Sequence, residues 1–413
     1  MPGALRRFRA AFAGALSSDR LGAPPAEALA TGLGLSSTLG ILAIVPLLIG
    51  AYVESSALSL RQAGLLITIE VAASAVTMLG IAASMRSIRR TRSARLGAIL
   101  AGVSYLAGGF GASFPLLCAC RVLSGCGIGL IGAAVNGSVA RAPSPERLYS
   151  TGLLTYGAVA TVALTVVPIA FKNFGYWVLF VYIGLSFLLT AATSYGLNDS
   201  RVTPEATNAV GRSKLAPLLA RPSIASLILG GPLLWIAFSM IWMFAERKAA
   251  AIGMSPDARG LVLAATNVIG MAGSLIANRV GLRIGRSIPL SLGGLTLAGS
   301  YYVVGAATAP QIYTTAMIVY GVAYYFILPY IVRLAADLDR EGRVSIVYST
   351  APWVAHLVSP LLGAIVITQL SYHAMGILSA VISLTGTVLL LVSSGTVAAV
   401  APQRSRRRSE HEP

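Results

Sequence analysis

The feature that most constrains this chain is a repeated alternation in which long apolar stretches are closed off by short arginine-rich connections. A bilayer core about 30 Å thick takes roughly 20 apolar residues per helix, and inside it every backbone polar group must be satisfied within its own segment or by a protein neighbour. Such stretches lie at 29–52, 60–83, 95–113, 115–139, 149–171, 176–197, 223–246, 258–279, 288–307, 311–335, 348–370 and 373–397, which predicts an all-α polytopic membrane protein with twelve transmembrane helices. Composition agrees: 56% of the residues are hydrophobic and 11% are charged, against roughly 25% charged in soluble domains.

The formal net charge of +17 would raise the question of nucleic acid in a soluble protein. Here the cations fall in clusters on alternate connections: Arg6, Arg7, Arg9 and Arg20, then Arg86 to Arg95, Arg141 and Arg147, Arg201 to Arg221, Arg279 to Arg286, Arg333 to Arg343, and Arg404 to Arg408. The intervening connections hold only Arg61, Lys172, Arg247, Lys248 and Arg259. Positive charge marks the cytoplasmic side, so both termini are expected there, in the inner membrane, and no nucleic-acid partner is expected. The first residues carry no cleavage-site pattern and read as a basic amphipathic surface segment.

The longest polar connection, 198–222, divides the spans six and six. A shift of 196 residues lays Gly64-Leu-Leu-Ile onto Gly260-Leu-Val-Leu, Arg90-Thr91 onto Arg286-Ser287, Gly125 onto Gly321 and Tyr176 onto Tyr372; Tyr149-Ser-Thr meets Tyr348-Ser-Thr at 199. The expected organisation is a basic segment 1–27, a six-helix bundle 28–197, a linker 198–222, a second pseudo-symmetric bundle 223–399 and a basic tail 400–413. Parallel repeats of this kind characterise one large class of transporters.

Enzyme chemistry finds no foothold. Cys118, Cys120 and Cys126 share one apolar segment and read as packing residues; His356, His373 and His411 are too scattered for a metal centre, and no phosphate-binding Gly-x-x-x-x-Gly-Lys-Ser/Thr loop occurs. No cofactor is expected.

Two segments resemble the major facilitator superfamily. Arg121-Val-Leu-Ser-Gly125-Cys-Gly127-Ile-Gly129 is similar to that family's fourth-helix motif, an arginine followed by spaced glycines. Leu282-Arg283-Ile-Gly285-Arg286 resembles the second copy of its Asp-Arg-x-Gly-Arg loop. The resemblance implies two six-helix bundles, secondary transport and cavity-lining first and fourth helices in each half. The loop's acid is replaced by Leu282 here and by Arg86 in the first half, which puts the family's charge latch in doubt. The fifth span also lacks the Gly-Pro-rich antiporter motif, having a lone Pro168.

An ionised side chain deep in the membrane costs at least roughly 2.5–3.5 kcal/mol and marks a functional site by default. Glu70 and Arg121 are such residues, at roughly 15 and 9 Å depth from the expected outer side at 1.5 Å per residue, so a long arginine can reach the carboxylate. Glu70 heads a stripe with Ser74, Thr77 and Ser84; Arg121 leads Gly125, Gly129, Gly132 and Asn136. Glu70 reads as a protonation site, as half of a static ion pair, or as a ligand for a cationic solute. Arg121 reads as counter-ion for an anionic solute, as partner of Glu70, or as a structural arginine. In the second half Trp235, Ser239, Trp242 and Glu246 share one helical face, with Asn267, Gly270, Ser274 and Asn278, with Tyr313, Tyr320 and Tyr324, and with Pro352, His356, Ser359 and Gly363 on neighbouring spans. Trp235, Asn267, Tyr324 and His356 are the candidate substrate residues there, the aromatics alternatively serving packing or an interfacial belt, the histidine alternatively a structural hydrogen bond. Arg90, Arg283, Gly285, Arg286, Asp337 and Arg343 form a candidate gating set, with a solvated loop as the plain alternative.

The resulting expectation is a monomeric secondary transporter, working by alternating access on a small organic solute such as an organic anion or amphipathic metabolite, with protons as the possible coupling ion and lipid as its surroundings. A drug or natural-product efflux antiporter, and a receptor or scaffold that transports nothing, are the alternatives.

Overall fold

The computed structural model describes residues 23–55, 57–84, 89–109, 113–139, 142–199, 221–281, 283–338, 343–348 and 351–409, without the side chains of 82–84, 146, 172, 343, 345–346 and 396–409. The expected N-terminal surface segment, nearly all of the linker, Arg86, Leu282, Asp339, Arg340, Glu341 and the side chain of Arg343 lie outside that description.

All described secondary structure is helical, and the contacts divide the chain into two units, Met1–Val202 and Thr203–Pro413. The first holds α1 (Pro25–Ser55), α2 (Leu60–Ser84), α3 (Arg90–Gly108), α4 (Phe114–Val139), α5 (Pro145–Phe174) and α6 (Trp177–Thr193), with a short 3-10 turn at Ser194–Gly196. The second holds α7 (Pro222–Ala251), α8 (Pro256–Gly270), α9 (Ala272–Val280), α10 (Ser287–Ala306), α11 (Pro310–Leu338), α12 (Arg343–Tyr348), α13 (Ala351–Gln369) and α14 (Tyr372–Ser409). Among the described residues eleven segments are long and apolar enough to span a bilayer, α8 and α9 forming one of them as Pro256–Val280. The twelfth expected span falls on α3, which starts five residues earlier than expected and so takes Arg90, Arg92 and Arg95 into its first turns. That polar start keeps α3 out of the apolar set.

Side chains are sorted as lipid requires. Val76, Leu79, Leu154, Leu229, Leu261 and Leu275 point outward, while Glu70, Arg121, Ser124, Ser239, Ser359 and Ser383 are buried. Inside each unit, close helix contact is made by glycine. A Cβ on Gly125 or Gly129 of α4 would strike the Glu70 or Ser74 carbonyl oxygen of α2, and one on Gly127 would strike the Gly97 carbonyl of α3. In the second unit Gly321 meets the Thr266 carbonyl, Gly273 meets that of Val322, and Gly230 faces Gly386. Small residues allow this approach because packing, not water exclusion, drives helix association in lipid.

Two further departures from the sequence reading bear on the site. α7 runs past Glu246 to Ala251, so Arg247 and Lys248, expected in a loop, are helical and buried. The eighth span breaks at Met271, where α8 gives way to α9 beside the Gly270–Gly273 contact with α11. Helix interruptions of this sort persist in membranes only where neighbouring protein re-satisfies the backbone.

Candidate functional site

Glu70 lies near the middle of α2 and is 4% exposed; Arg121, in the second turn of α4, is 0% exposed. The glycine contact between α2 and α4 presses the Glu70 side chain into the space between α2, α3 and α4. There its Oε2 accepts a hydrogen bond from the Tyr105 hydroxyl at 2.8 Å, and its Oε1 accepts from Arg121 Nη1 at 3.3 Å and from the Ser124 hydroxyl. The Arg121 guanidinium stacks on the Tyr105 ring, 3.7 Å from carbon Cζ to the centroid, a cation–π contact that is strongest when desolvated. Three donors on one carboxylate, one of them charged, offset much of the cost of burying it.

That satisfaction is one-sided. Arg121 Nε and Nη2 are buried and, among the described residues, have no hydrogen-bond partner; nor has the hydroxyl of Tyr52 on α1, which is 0% exposed and packs against Phe180 with ring centroids 5.5 Å apart. Tyr52 is close enough to interact electrostatically with Arg121, Glu70, Cys118 and Cys120. Sequence reasoning brought Glu70 and Arg121 together but missed Tyr52, Tyr105 and Ser124. For Tyr105 a signal existed, since the 196-residue shift lands on another tyrosine, Tyr301.

That same shift makes a comparison inside the molecule. The contact of Gly125 with the Glu70 carbonyl reappears as the contact of Gly321 with the Thr266 carbonyl, and both pairs stand 196 residues apart. The helix packing is therefore repeated while the charges are not: Thr266 stands for Glu70 and Met317 for Arg121. Tyr301, the counterpart of Tyr105, is buried with its hydroxyl unpartnered. The ion pair is an addition to the first unit, not a requirement of the repeated fold.

In the second unit the structure gathers aromatics from α7 and α11. Phe238 stacks on Tyr324 at 3.9 Å and on Tyr320 at 5.2 Å; Trp235 meets Tyr324 edge-on at 5.6 Å, and Trp242 lies 6.5 Å from Tyr320. Trp235 Nε1 donates to the Tyr348 hydroxyl at 3.2 Å. A small cavity beside this cluster is lined by Trp235, Phe238, Tyr301, Tyr324 and aliphatic residues of α10 and α11. Asn267, just before the break in α8, accepts through Oδ1 from the Tyr325 hydroxyl at 2.7 Å. His356 stands apart from these: buried, its Nδ1–H donates to the Pro352 carbonyl of its own helix at 2.6 Å. Glu246 likewise leaves the aromatic stripe for an ion cluster, accepting from Arg247 Nε at 2.6 Å and Nη2 at 2.9 Å and from Arg259 Nη1 at 2.8 Å.

Of the gating candidates, Asp337 pairs with Arg286 at 2.5 Å and with Arg333 at 3.3 Å. The acid missing from the loop motif at Leu282 is thus supplied to Arg286 from the end of α11. Gly285 takes a positive φ of 75°, which turns the loop back before α10, and Arg283 is exposed. Arg90 is buried and donates through Nη1 to the Asn198 carbonyl at 2.5 Å, while the Thr91 amide donates to Asp199 at 3.0 Å. These bonds tie the start of α3 to the residues that follow α6.

No family model matches the chain, and no curated protein matches it. Solved structures do. A D-xylose–proton symporter aligns with a TM-score of 0.66 at 17% identity, over 87% of this chain and 95% of its own. A bacterial homologue of the human lysosomal transporter Spinster, inward-facing and unoccupied, aligns at 0.65 and 16%, over 90% and 96%. The nucleoside transporter NupG aligns at 0.69 and 9%, over 91% and 99%. The chain has the fold of these membrane transporters.

Proposed function

We propose that the protein is a proton-coupled secondary transporter that moves a small organic solute across the inner membrane by alternating access, with both termini cytoplasmic. Glu70 carries the coupling proton and Arg121 is its counter-charge. The observation that supports this most directly is the charged pair present in the first unit and absent from the repeat-equivalent positions Thr266 and Met317, although the glycine packing is the same. A carboxyl can exchange its proton when helix movement changes what surrounds it, since burial and a neighbouring cation act on it in opposite directions. Within the second unit the aromatic face of Trp235, Phe238, Tyr320 and Tyr324 and the Asn267 amide are the candidate solute contacts. The Asp337 pairs and the Arg90 bond are the contacts that a change of conformation would make and break.

The test is proteoliposomes loaded with the pH dye pyranine and challenged with organic acids, sugars and nucleosides. A solute that drives an alkaline or acid shift identifies substrate and coupling together, and Glu70→Gln abolishes the shift. Undiminished proton movement in that variant refutes the role of Glu70. The aromatic cluster by itself favours a second reading, export of hydrophobic natural products; it expects transport of planar apolar dyes that is indifferent to Arg121.

A further inference from the structure

The guanidinium of Arg121 is used from the wrong side for a permanent ion pair. An arginine meets a carboxylate best through two parallel N–H bonds, and Arg247 does so in this protein, placing Nε and Nη2 on the two oxygens of Glu246. Arg121 gives Glu70 one long bond from Nη1, and its buried Nε and Nη2 have no hydrogen-bond partner among the described residues. The contact with the Tyr105 ring covers the face of the guanidinium and does nothing for its in-plane Nε and Nη2 donors. Tyr52 contributes a further unpartnered hydroxyl nearby. Gly108 borders the same edge without covering it: a Cβ there would come within 3.6 Å of Nη2. Buried donors without acceptors are rare in folded proteins and call for an occupant.

We propose that this edge, with the Tyr52 hydroxyl, is the binding site for the carboxylate group of the transported solute, and that the solute's carboxylate takes over Arg121 when Glu70 is protonated. This rests on the proton role given to Glu70 above and adds the chemical class of the substrate. Charge balance supports the exchange. Ionised Glu70 with Arg121 is neutral, and so is protonated Glu70 with Arg121 and one bound carboxylate, whereas a carboxylate added to the unprotonated pair leaves a net negative charge in a desolvated pocket. One proton therefore enters with each anion. The charged and titratable groups around Glu70 are Arg121 on α4, Tyr105 on α3 and Tyr52 on α1, with Ser124 of α4 also bonded to it and with Cys118 and Cys120 of α4 acting on Tyr52.

Benzoate is the probe, with benzamide as its uncharged counterpart and sodium chloride as a simple anion, titrated into the purified full-length protein and followed by calorimetry or thermal shift. Benzoate stays ionised above about pH 5, so its affinity for the wild type is expected to rise about tenfold for each pH unit lowered from about pH 8, as linkage to one proton requires. In Glu70→Gln the affinity is expected to be high and flat with pH. Tyr52→Phe, which keeps the ring, is expected to weaken benzoate roughly ten- to a hundredfold at every pH with the slope unchanged, the loss of one charge-assisted hydrogen bond. Gly108→Ala, which puts a methyl beside Nη2, is expected to weaken it as well. Equal binding of benzamide, equal binding of chloride, or no benzoate binding to wild type at low pH overturns the proposal, the last result leaving the edge to a buried water. Should Glu70→Gln fail to fold, the wild-type pH slope and Tyr52→Phe decide alone. The outcome separates from the parent reading, because loss of benzoate binding with Glu70-dependent pyranine signals for a neutral solute removes only the carboxylate class.

Discussion

Substituting Arg121 with methionine removes the cation beside Glu70 and leaves an unbranched apolar chain in its place. Breaking a buried ion pair by removing one partner costs about 3–5 kcal/mol, because the other charge is left uncompensated. Here Tyr105 and Ser124 still donate to the carboxylate, which puts the expected cost at the lower end of that range. Adding Glu70→Gln removes the second charge, and the double variant is expected within about 1 kcal/mol of the wild type, since a buried pair replaced by neutral groups is often nearly neutral. Unfolding of the purified protein in detergent compares the single and double variants. Additive losses in the double variant would refute the claim that Arg121 and Glu70 stabilise the fold as a pair.

Gly125→Val drives a side chain into the Glu70 carbonyl and is expected to destabilise by more than the about 1–3 kcal/mol typical of overpacking, whereas Gly157→Ala, with nothing within 4 Å of the new methyl, is expected to be neutral or stabilising by up to about 1 kcal/mol; melting temperatures compare them. Trp235→Phe and Tyr348→Phe each remove the same hydrogen bond, worth about 0.5–1.5 kcal/mol, so the double variant is expected to lose less than the sum, and additive losses would show that the bond is absent. Asp337→Asn is expected to shift stability by under about 1 kcal/mol, because Asp337 and Arg286 are partly exposed and their attraction is screened; a larger drop in the melting curve would show the pair to be structural.

How much was legible in the sequence depends on the kind of signal. Apolar length placed α1, α2, α4, α10 and α11 within a few residues of where they begin, because lipid imposes length and hydropathy directly on the sequence. It misplaced α3 and cut α7 short, since arginines at one helix start and the pair Arg247 and Lys248 at another helix end look like loop charges until burial and a partner such as Glu246 are seen. The meeting of Glu70 with Arg121 was readable because each is a charge where charges are costly. Tyr52, Tyr105 and Ser124 were not, because tyrosine and serine are ordinary in membrane helices and only three-dimensional convergence singles them out. Trp235 and Tyr324, picked because the resemblance puts the first and fourth helices of a half beside one cavity, lie against each other, while His356 bonds to its own helix, the structural alternative given for it. The break at Met271 left no mark in hydropathy, since both halves of the span are apolar and the cause, Gly273 against the Val322 carbonyl, is a contact between helices.

Among the described residues two buried carboxylates, Glu70 and Glu246, are met by arginine, and the difference between the two sites is the reason to think of Arg121 as a working residue. Arg247 and Arg259 saturate Glu246 with short bonds, as a pair built for permanence does. Arg121 holds Glu70 by a single 3.3 Å bond, while Tyr105 and Ser124 take the closer positions on the same carboxylate. Were neutralising Glu70 the whole task, the bidentate edge would face it, and the repeat shows that the helices pack equally closely with threonine and methionine in those places. A cation that stacks on an aromatic ring, lends one nitrogen to a carboxylate already served by two hydroxyls, and keeps its best edge free can change partners at little cost. Glu70 can then lose that bond without being orphaned, which a coupling carboxyl must be able to do in every cycle.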